Sequence, residues 1–198
     1  MNSRSTAPPP DSPLPNGSLD LAERPVRLRG LRVGLLDCGA ALSAGALRRI
    51  ALRLRRDHGA GDIQFWRKGL GATHTPLFEE VSQACDVALC GVGLCRDTVS
   101  SSVWAAIALE RRGIPTATLI GTPFGVVARA VAQKRDFPAL PMVLLAPPAG
   151  DRVPPDSATS ELGAANEAAR LLTAPRAAVV QEFLTKLFPP PVSVGRAG

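Results

Sequence analysis

Four cysteines carry the most usable chemistry in this chain, and one of them lies where a thiol becomes reactive. Cys95 follows a continuously apolar run, residues 87–92, and precedes a helix that is predicted to start near residue 99. The partial positive charge of a helix amino terminus and the guanidinium of Arg96 favour the thiolate, whereas a nearby Asp97 would oppose it. Nucleophilic and redox cysteines need that thiolate, so Cys95 is the candidate catalytic residue. The alternative is a small turn residue without chemistry.

The other three cysteines are expected to play different parts. Cys90 lies inside the apolar run and Cys85 at the end of the preceding helix, where cysteine serves as a small hydrophobe. Cys38 follows an earlier strand and would be a resolving thiol for Cys95 if the two loops adjoin. The spacing of the cysteines does not match paired zinc ligands, and we predict no metal site.

Polar side chains at three predicted strand ends complete the candidate site. Ligands of open parallel sheets bind outside the carboxyl ends of the strands, because helix amino termini and loops converge there. Arg96 and the hydroxyl of Ser100 are suited to hold an anionic group together with free backbone amides, although helix capping explains the serines equally well. The predicted binding residues are Asp37, Cys38, Arg96, Asp97, Thr98, Ser100 and Thr122.

The apolar periodicity predicts strands and helices in alternation. Strands are expected at residues 31–36, 63–66, 87–92, 116–120 and 142–145, and helices at 43–58, 75–84, 99–112 and 124–135. Short connections between such elements lead to parallel strands and right-handed crossovers. The expected fold is therefore α/β: a three-layer, doubly wound, mostly parallel sheet of about five strands, followed by two C-terminal helices at 157–172 and 175–188.

The composition divides the chain into four parts. Residues 1–27 are rich in Pro and Ser and are expected to form a flexible arm, and residues 28–150 form the α/β domain. A Pro-rich break at 147–155 introduces a helical extension, residues 151–188, and residues 189–198 are an expected disordered tail.

Several function classes lack support in the sequence. The net charge is +6, but the arginines are scattered and no nucleic-acid module accompanies them, so a nucleic-acid partner is not favoured. Gly91 and Gly93 lack the third glycine of a dinucleotide fingerprint, and no phosphate loop or serine-hydrolase elbow occurs, so we predict no cofactor. No apolar leader or membrane-spanning run is present, which predicts a cytoplasmic protein with reduced thiols and no membrane partner.

Six short runs of residues, spaced over the whole predicted sheet, form a pattern found in one known family. They are Val33-Gly34-Leu35-Leu36-Asp37, Cys85-Asp86, Gly91-Val92-Gly93-Leu94-Cys95, Ser102-Val103, Glu110-Arg111-Arg112-Gly113-Ile114-Pro115-Thr116 and Leu140-Pro141. Together these runs resemble the UGSC family of bacterial (seleno)proteins, named for a motif of selenocysteine or cysteine, then Gly, Ser and Cys. The resemblance spans roughly residues 24–149.

The resemblance places the reactive selenium or sulfur atom of the family on Cys95. The next three motif positions fall on Arg96, Asp97 and Thr98, so the second redox atom is absent. Where the family carries a histidine after the last strand, this chain reads Leu145-Ala146-Pro147-Pro148. It is thus similar to a divergent UGSC member.

Two kinds of function follow from these residues and from the resemblance. The first is a cysteine-dependent enzyme, in which the Cys95 thiolate attacks a small electrophilic metabolite or takes part in thiol redox with Cys38 or with a partner cysteine. The second is a degenerate, non-catalytic subunit that pairs with an intact UGSC-type partner, or a small-molecule binding module. A small-molecule substrate and either a homo-oligomer or a hetero-oligomer with a related subunit are the expected partners.

Overall fold

The structure is a computed structural model that describes residues 21–39, 43–68, 75–146 and 159–187. The described strands are β1 (Val33–Asp37), β2 (Ile63–Arg67), β3 (Val87–Gly93), β4 (Thr116–Gly121) and β5 (Met142–Leu145). The described helices are α1 (Ser43–His58), α2 (Thr75–Ala84), α3 (Arg96–Glu110), α4 (Gly125–Lys134), α5 (Glu161–Thr173) and α6 (Arg176–Leu187). Residues 1–20 of the predicted arm, the whole Pro-rich break at 147–155 and the predicted tail at 189–198 lie outside the described residues.

The five strands form one parallel sheet in the order β2-β1-β3-β4-β5. Strand β2 lies on one side of β1, whereas β3, β4 and β5 follow one another on the other side. The direction in which strands are added therefore reverses between β1 and β3. Such a reversal opens a crevice at the carboxyl ends of the strands, which we call the carboxyl edge of the sheet. The predicted parallel α/β fold with two C-terminal helices is confirmed.

The helices form a layer on each face of the sheet. Helix α1 packs on β1, β3 and α5, and α5 also packs on β4 and β5. Helix α3 packs on β3, β4, α2 and α4. Strands β1, β3 and β4 are buried along their whole length, because both faces are covered, whereas the edge strand β2 is only partly buried.

Glycines allow the crowded end of β3 to meet its neighbours. Gly91 has φ +143°, and a Cβ atom there would lie 2.5 Å from the carbonyl oxygen of Leu119. The register between β3 and β4 shifts between Cys90 and Gly93. A Cβ on Gly93 would lie 2.9 Å from Cα of Val99, so the absence of a side chain lets α3 begin directly beside the strand end.

The last part of the predicted arm packs onto the domain. Leu21 and Leu28 are buried, and the Arg24 guanidinium forms a fully buried ion pair of 2.9 Å with Glu110 at the end of α3. Glu110 also accepts hydrogen bonds from the backbone N–H of Ala22 and of Thr116. The composition of the predicted arm did not indicate this packing, because Glu110, the partner of Arg24, lies far along the chain.

Some helix boundaries differ from the prediction. Helix α3 begins at Arg96, three residues before the expected start, and α5 begins at Glu161, where the Ser160 hydroxyl accepts from the N–H of Gly163. Among the described residues, no helix is long and apolar enough to cross a lipid bilayer.

Candidate active site at the carboxyl edge of the sheet

Cys95 is the residue immediately before α3 and caps its amino terminus. Its backbone is extended, with φ −152° and ψ 170°, which turns the chain from β3 into the helix. Its side chain is exposed to solvent, whereas the other three cysteines are buried. The one accessible thiol therefore stands at the carboxyl edge, on the loop that follows the central strand β3.

Thr98 holds the Cys95 loop together. Its hydroxyl oxygen accepts hydrogen bonds of 3.0 Å from the backbone N–H groups of Leu94 and Cys95. The same oxygen lies 3.2 Å from the sulfur of Cys95 and 3.1 Å from the carbonyl oxygen of Cys95. A hydroxyl has one hydrogen, so it donates either to this carbonyl or to the sulfur, and a thiolate is the stronger acceptor.

Hydrogen bonds favour the charged form of the Cys95 thiol. The Thr98 hydroxyl, followed by the backbone N–H of Thr98, lowers the pKa of Cys95, and the N–H of Asp97 adds to this effect. The small loss of solvation and the carboxylate of Asp97 act in the opposite direction, but the net shift is downward. The causes of this shift thus include two backbone amides at the amino terminus of α3 and do not include the Arg96 guanidinium.

The remaining cysteines are poor nucleophiles in this structure. Burial raises the pKa of Cys85 to about 11 and raises the pKa of Cys90 well above its ordinary value. Burial also raises the pKa of Cys38, although hydrogen bonds from Ser102 and Ser101 and the charge of Lys68 partly offset it. A buried thiol with a raised pKa carries little thiolate at neutral pH.

Cys38 and Cys95 lie in different surroundings. Cys38 is buried after β1, next to Ser101 and Ser102, which lie in the second turn of α3. Cys95, in contrast, is exposed immediately before that helix. All four cysteines are free, and no hydrogen bond or disulfide joins Cys38 to Cys95 in the described part of the chain.

Asp37 organises the end of β1. Its buried carboxylate accepts hydrogen bonds from the Ser43 hydroxyl, from the N–H of Gly39 at 3.1 Å and from the Nε–H of Arg67 at 2.9 Å. These partners tie the start of α1 and the end of β2 to β1. Both carboxylate oxygens of Asp37 are therefore engaged within the protein.

Sequence reasoning missed Lys68, which lies at the end of β2 and reaches toward α3. Its side chain is buried, with 6% relative exposure, and its Nζ donates a 2.8 Å hydrogen bond to the hydroxyl of Ser101. The same ammonium lies 4.9 Å from the ring centre of Trp104. The available signal was a lysine directly after a predicted strand, in a chain that otherwise uses arginine almost throughout.

The other predicted binding residues line the same edge with varied exposure. Arg96 and Asp97 are exposed on the first turn of α3, and Ser100 is half-buried one turn later. Thr122 is half-buried at the start of a short 3-10 helix that follows β4, and the preceding Gly121 lies close to the side chain of Leu94. Within the described ranges, no three His, Cys, Asp or Glu side chains converge as metal ligands.

Comparisons with known proteins give one family. No curated protein matches this sequence. A crystal structure of the sugar isomerase domain of an RpiR transcription factor from Sphaerobacter thermophilus matches 80% of this chain and 79% of its own, at 17% identity and a TM-score of 0.40. A score this low does not establish a shared fold. The model of the UGSC family matches residues 8–174, which is most of the sequence and includes the Cys95 loop, and the chain therefore belongs to the UGSC family.

Proposed function

We propose that this protein is a thiol-dependent enzyme in which the Cys95 thiolate attacks a small electrophilic metabolite. The observation that supports this proposal is the environment of the Cys95 sulfur: it is exposed, it lies 3.2 Å from the Thr98 hydroxyl, and its pKa is lowered by hydrogen bonds. Exposure, thiolate character and a helix amino terminus are the properties that reactive cysteines share.

The reaction uses the thiolate as an electron-pair donor. A bond forms between the sulfur and an electrophilic carbon of the substrate, and the bond from that carbon to the leaving group breaks, so that the leaving group departs with its electron pair. Water or a second nucleophilic substrate then attacks the same carbon, and the carbon–sulfur bond breaks with its electron pair returning to the sulfur, which restores the thiolate. The proton lost by the attacking molecule passes to the departed leaving group or to solvent. Arg96, Ser100 and Thr122 border the place where the substrate would lie, and the backbone N–H groups of α3 face developing negative charge there.

The surroundings of Cys38 favour this nucleophilic mechanism over a dithiol redox cycle within the chain. A disulfide requires Cα atoms about 4.4–6.8 Å apart and thiols that reach each other. Cys38 is buried and hydrogen-bonded beside the second turn of α3, with a raised pKa. By the resemblance, the second motif cysteine is replaced by Thr98, whose hydroxyl can stabilise the thiolate but cannot oxidise to a disulfide. Redox chemistry at Cys95 would therefore use a cysteine of another molecule.

A second function has its own support in the residues that follow Cys95. Arg96, Asp97 and Thr98 stand where the motif has Gly, Ser and Cys. Such a change suits a non-catalytic subunit that contributes an interface to an intact UGSC-type partner, or a module that binds a small molecule without chemistry. In both of these cases the reactivity of Cys95 has no use, and Cys95 is dispensable.

Residue-resolved alkylation of the native protein separates these functions. Iodoacetamide at neutral pH should label Cys95 well before Cys38, Cys85 and Cys90, which serve as controls within the same molecule. Replacement of Cys95 by Ser should remove the fast-labelling site and leave the slow ones unchanged. Equal, slow labelling of all four cysteines would contradict the enzyme proposal and favour the subunit function.

A further inference from the structure

Lys68 is a buried cation at the carboxyl edge of the sheet, beside the end of β1, where the strand order reverses. Its backbone N–H donates to the carbonyl oxygen of Asp37, so the residue is fixed where β1 and β2 end. Its side chain crosses toward α3 and is almost fully removed from solvent. The proposed chemistry of Cys95 does not explain why a lysine is fixed and buried at this position.

No carboxylate compensates the charge of Lys68 among the residues that the structure describes. Burial lowers the pKa of its ammonium, and the nearby sulfur atoms of Cys38 and Cys90 belong to thiols whose own pKa values are raised by burial, so they bring little negative charge. A buried cation without a carboxylate partner is costly and is rarely kept without a function.

The groups around Lys68 are mainly hydrogen-bond donors. Lys68 has three N–H groups, of which one is directed to Ser101 in the described part of the chain. Ser101 accepts that bond, and its single hydroxyl hydrogen points either to the buried sulfur of Cys38 or to a ligand. The ring of Trp104 supports the positive charge but provides no acceptor in the plane of the site. The cluster thus presents positive charge and donors to an acceptor-rich ligand.

Helix α3 connects this cluster to the reactive thiol. Thr98 and Ser102 follow Cys95 at three and seven residues, so they lie on one face of the helix, and the Ser102 hydroxyl donates a 2.7 Å bond to the carbonyl oxygen of Thr98. At about 1.5 Å per residue, Ser101 is about 9 Å along the axis from Cys95. This axial separation is within the length of a small metabolite.

We infer that Lys68 and Ser101 form an anion-binding subsite, and that the substrate of Cys95 carries a carboxylate or phosphate group that binds there. The anionic oxygens would accept from the Lys68 ammonium and the Ser101 hydroxyl, and would supply the negative charge that the described residues lack. The identification of this ligand as the substrate rests on the proposed function, but the subsite itself does not.

Binding of inorganic phosphate and of acetate to the full chain tests the subsite. Calorimetric titration of the wild-type protein should show saturable binding of at least one of these anions with one site per chain, and the preferred anion identifies the group. Lys68→Met should weaken that binding at least tenfold, and Ser101→Ala should weaken it severalfold. Lys134→Met, at an exposed lysine on α4, is the matched control and should bind as the wild type does.

The dependence of anion binding on Lys68 decides whether the subsite exists. Saturable binding that requires Lys68 and not Lys134 supports the subsite. Binding that Lys68→Met and Ser101→Ala leave unchanged overturns it, and so does the absence of saturable binding of either anion to the wild-type protein.

The Cys95→Ser variant separates failure of this inference from failure of the proposed function. It should bind the preferred anion as tightly as the wild type, because no donor of the subsite is removed. If the subsite exists but Cys95 is unreactive toward iodoacetamide, the anion inference stands and the enzyme proposal fails. If Cys95 reacts fast but no anion binds, the enzyme proposal stands and this inference fails.

Discussion

Thr98 provides the largest of the interactions that lower the pKa of Cys95. Its hydroxyl contacts the sulfur and also accepts from the two backbone N–H groups that precede the helix. Cys95 itself was predicted from its place between strand and helix. The role of Thr98 as the main stabiliser of the thiolate was not, because a threonine at the third helical position is also an ordinary capping residue.

Removal of the Thr98 hydroxyl should make Cys95 less acidic. Thr98→Val keeps the shape of the side chain and deletes the largest of the interactions that lower the pKa of Cys95, so this pKa should rise. The ultraviolet absorbance of the thiolate, followed against pH, measures the change. Thr98→Ser keeps the hydroxyl and is the matched control; a Cys95 pKa that is the same in the valine and serine variants would contradict the role of Thr98.

An ion pair joins the end of α3 to the segment that precedes β1, and we expect its loss to destabilise the protein strongly. Both side chains of the Arg24–Glu110 pair are fully buried. Replacement of Glu110 by Gln leaves the Arg24 charge buried and unpaired, which should lower the free energy of unfolding by about 3–5 kcal/mol. Urea denaturation followed by circular dichroism measures this loss.

An exposed ion pair in the same protein supplies the comparison. Arg32 pairs with Asp86 at 2.8 Å, and both side chains are partly exposed to solvent, at 45% and 36%. Arg32→Met should therefore cost less than about 1 kcal/mol. If the two variants lose similar stability, burial does not determine the strength of these pairs.

The end of β3 has room for a backbone but not for a side chain. Gly91→Ala would place a methyl group 2.5 Å from the Leu119 carbonyl oxygen in an unfavourable backbone conformation, and should cost at least about 2 kcal/mol. Gly113 also has a positive φ, of +81°, but nothing within 4 Å of a Cβ. Gly113→Ala should cost less in the same urea assay, and an equal cost would show that the close contact is unimportant.

At the scale of the whole molecule, periodicity predicted the order and type of nearly every described element. Apolar runs such as the one in β3 identify a buried parallel strand, and helix α1 has its apolar residues on one face. Lys68 and the Arg24–Glu110 pair were not predictable, because each depends on residues brought together from distant parts of the chain. The place where the strand order reverses could not be predicted either, because no local sequence pattern specifies the order of strands in a sheet.

The overall positive charge should produce weak, salt-sensitive association with polyanions and no tight binding to nucleic acid. Several arginines of α1 are already engaged: Arg49 pairs with Glu161, Arg56 with Asp57, and Arg48 lies 4.4 Å from the ring centre of Phe65. Any binding to double-stranded DNA at low ionic strength should therefore disappear by about 0.2 M salt. A fluorescence anisotropy titration over this salt range checks this, and persistent binding would contradict it.

The pH dependence of Cys95 alkylation in the native protein tests the central claim most directly. The rate of iodoacetamide labelling at Cys95, resolved by mass spectrometry, should reach half its maximum below the free-thiol pKa of about 8.5. Cys85, whose pKa is raised to about 11 by burial, should remain slow over the same range and provides the internal reference. A half-maximum for Cys95 at or above the free-thiol value, or a profile that runs parallel to that of Cys85, would contradict the assignment of Cys95 as the thiolate nucleophile.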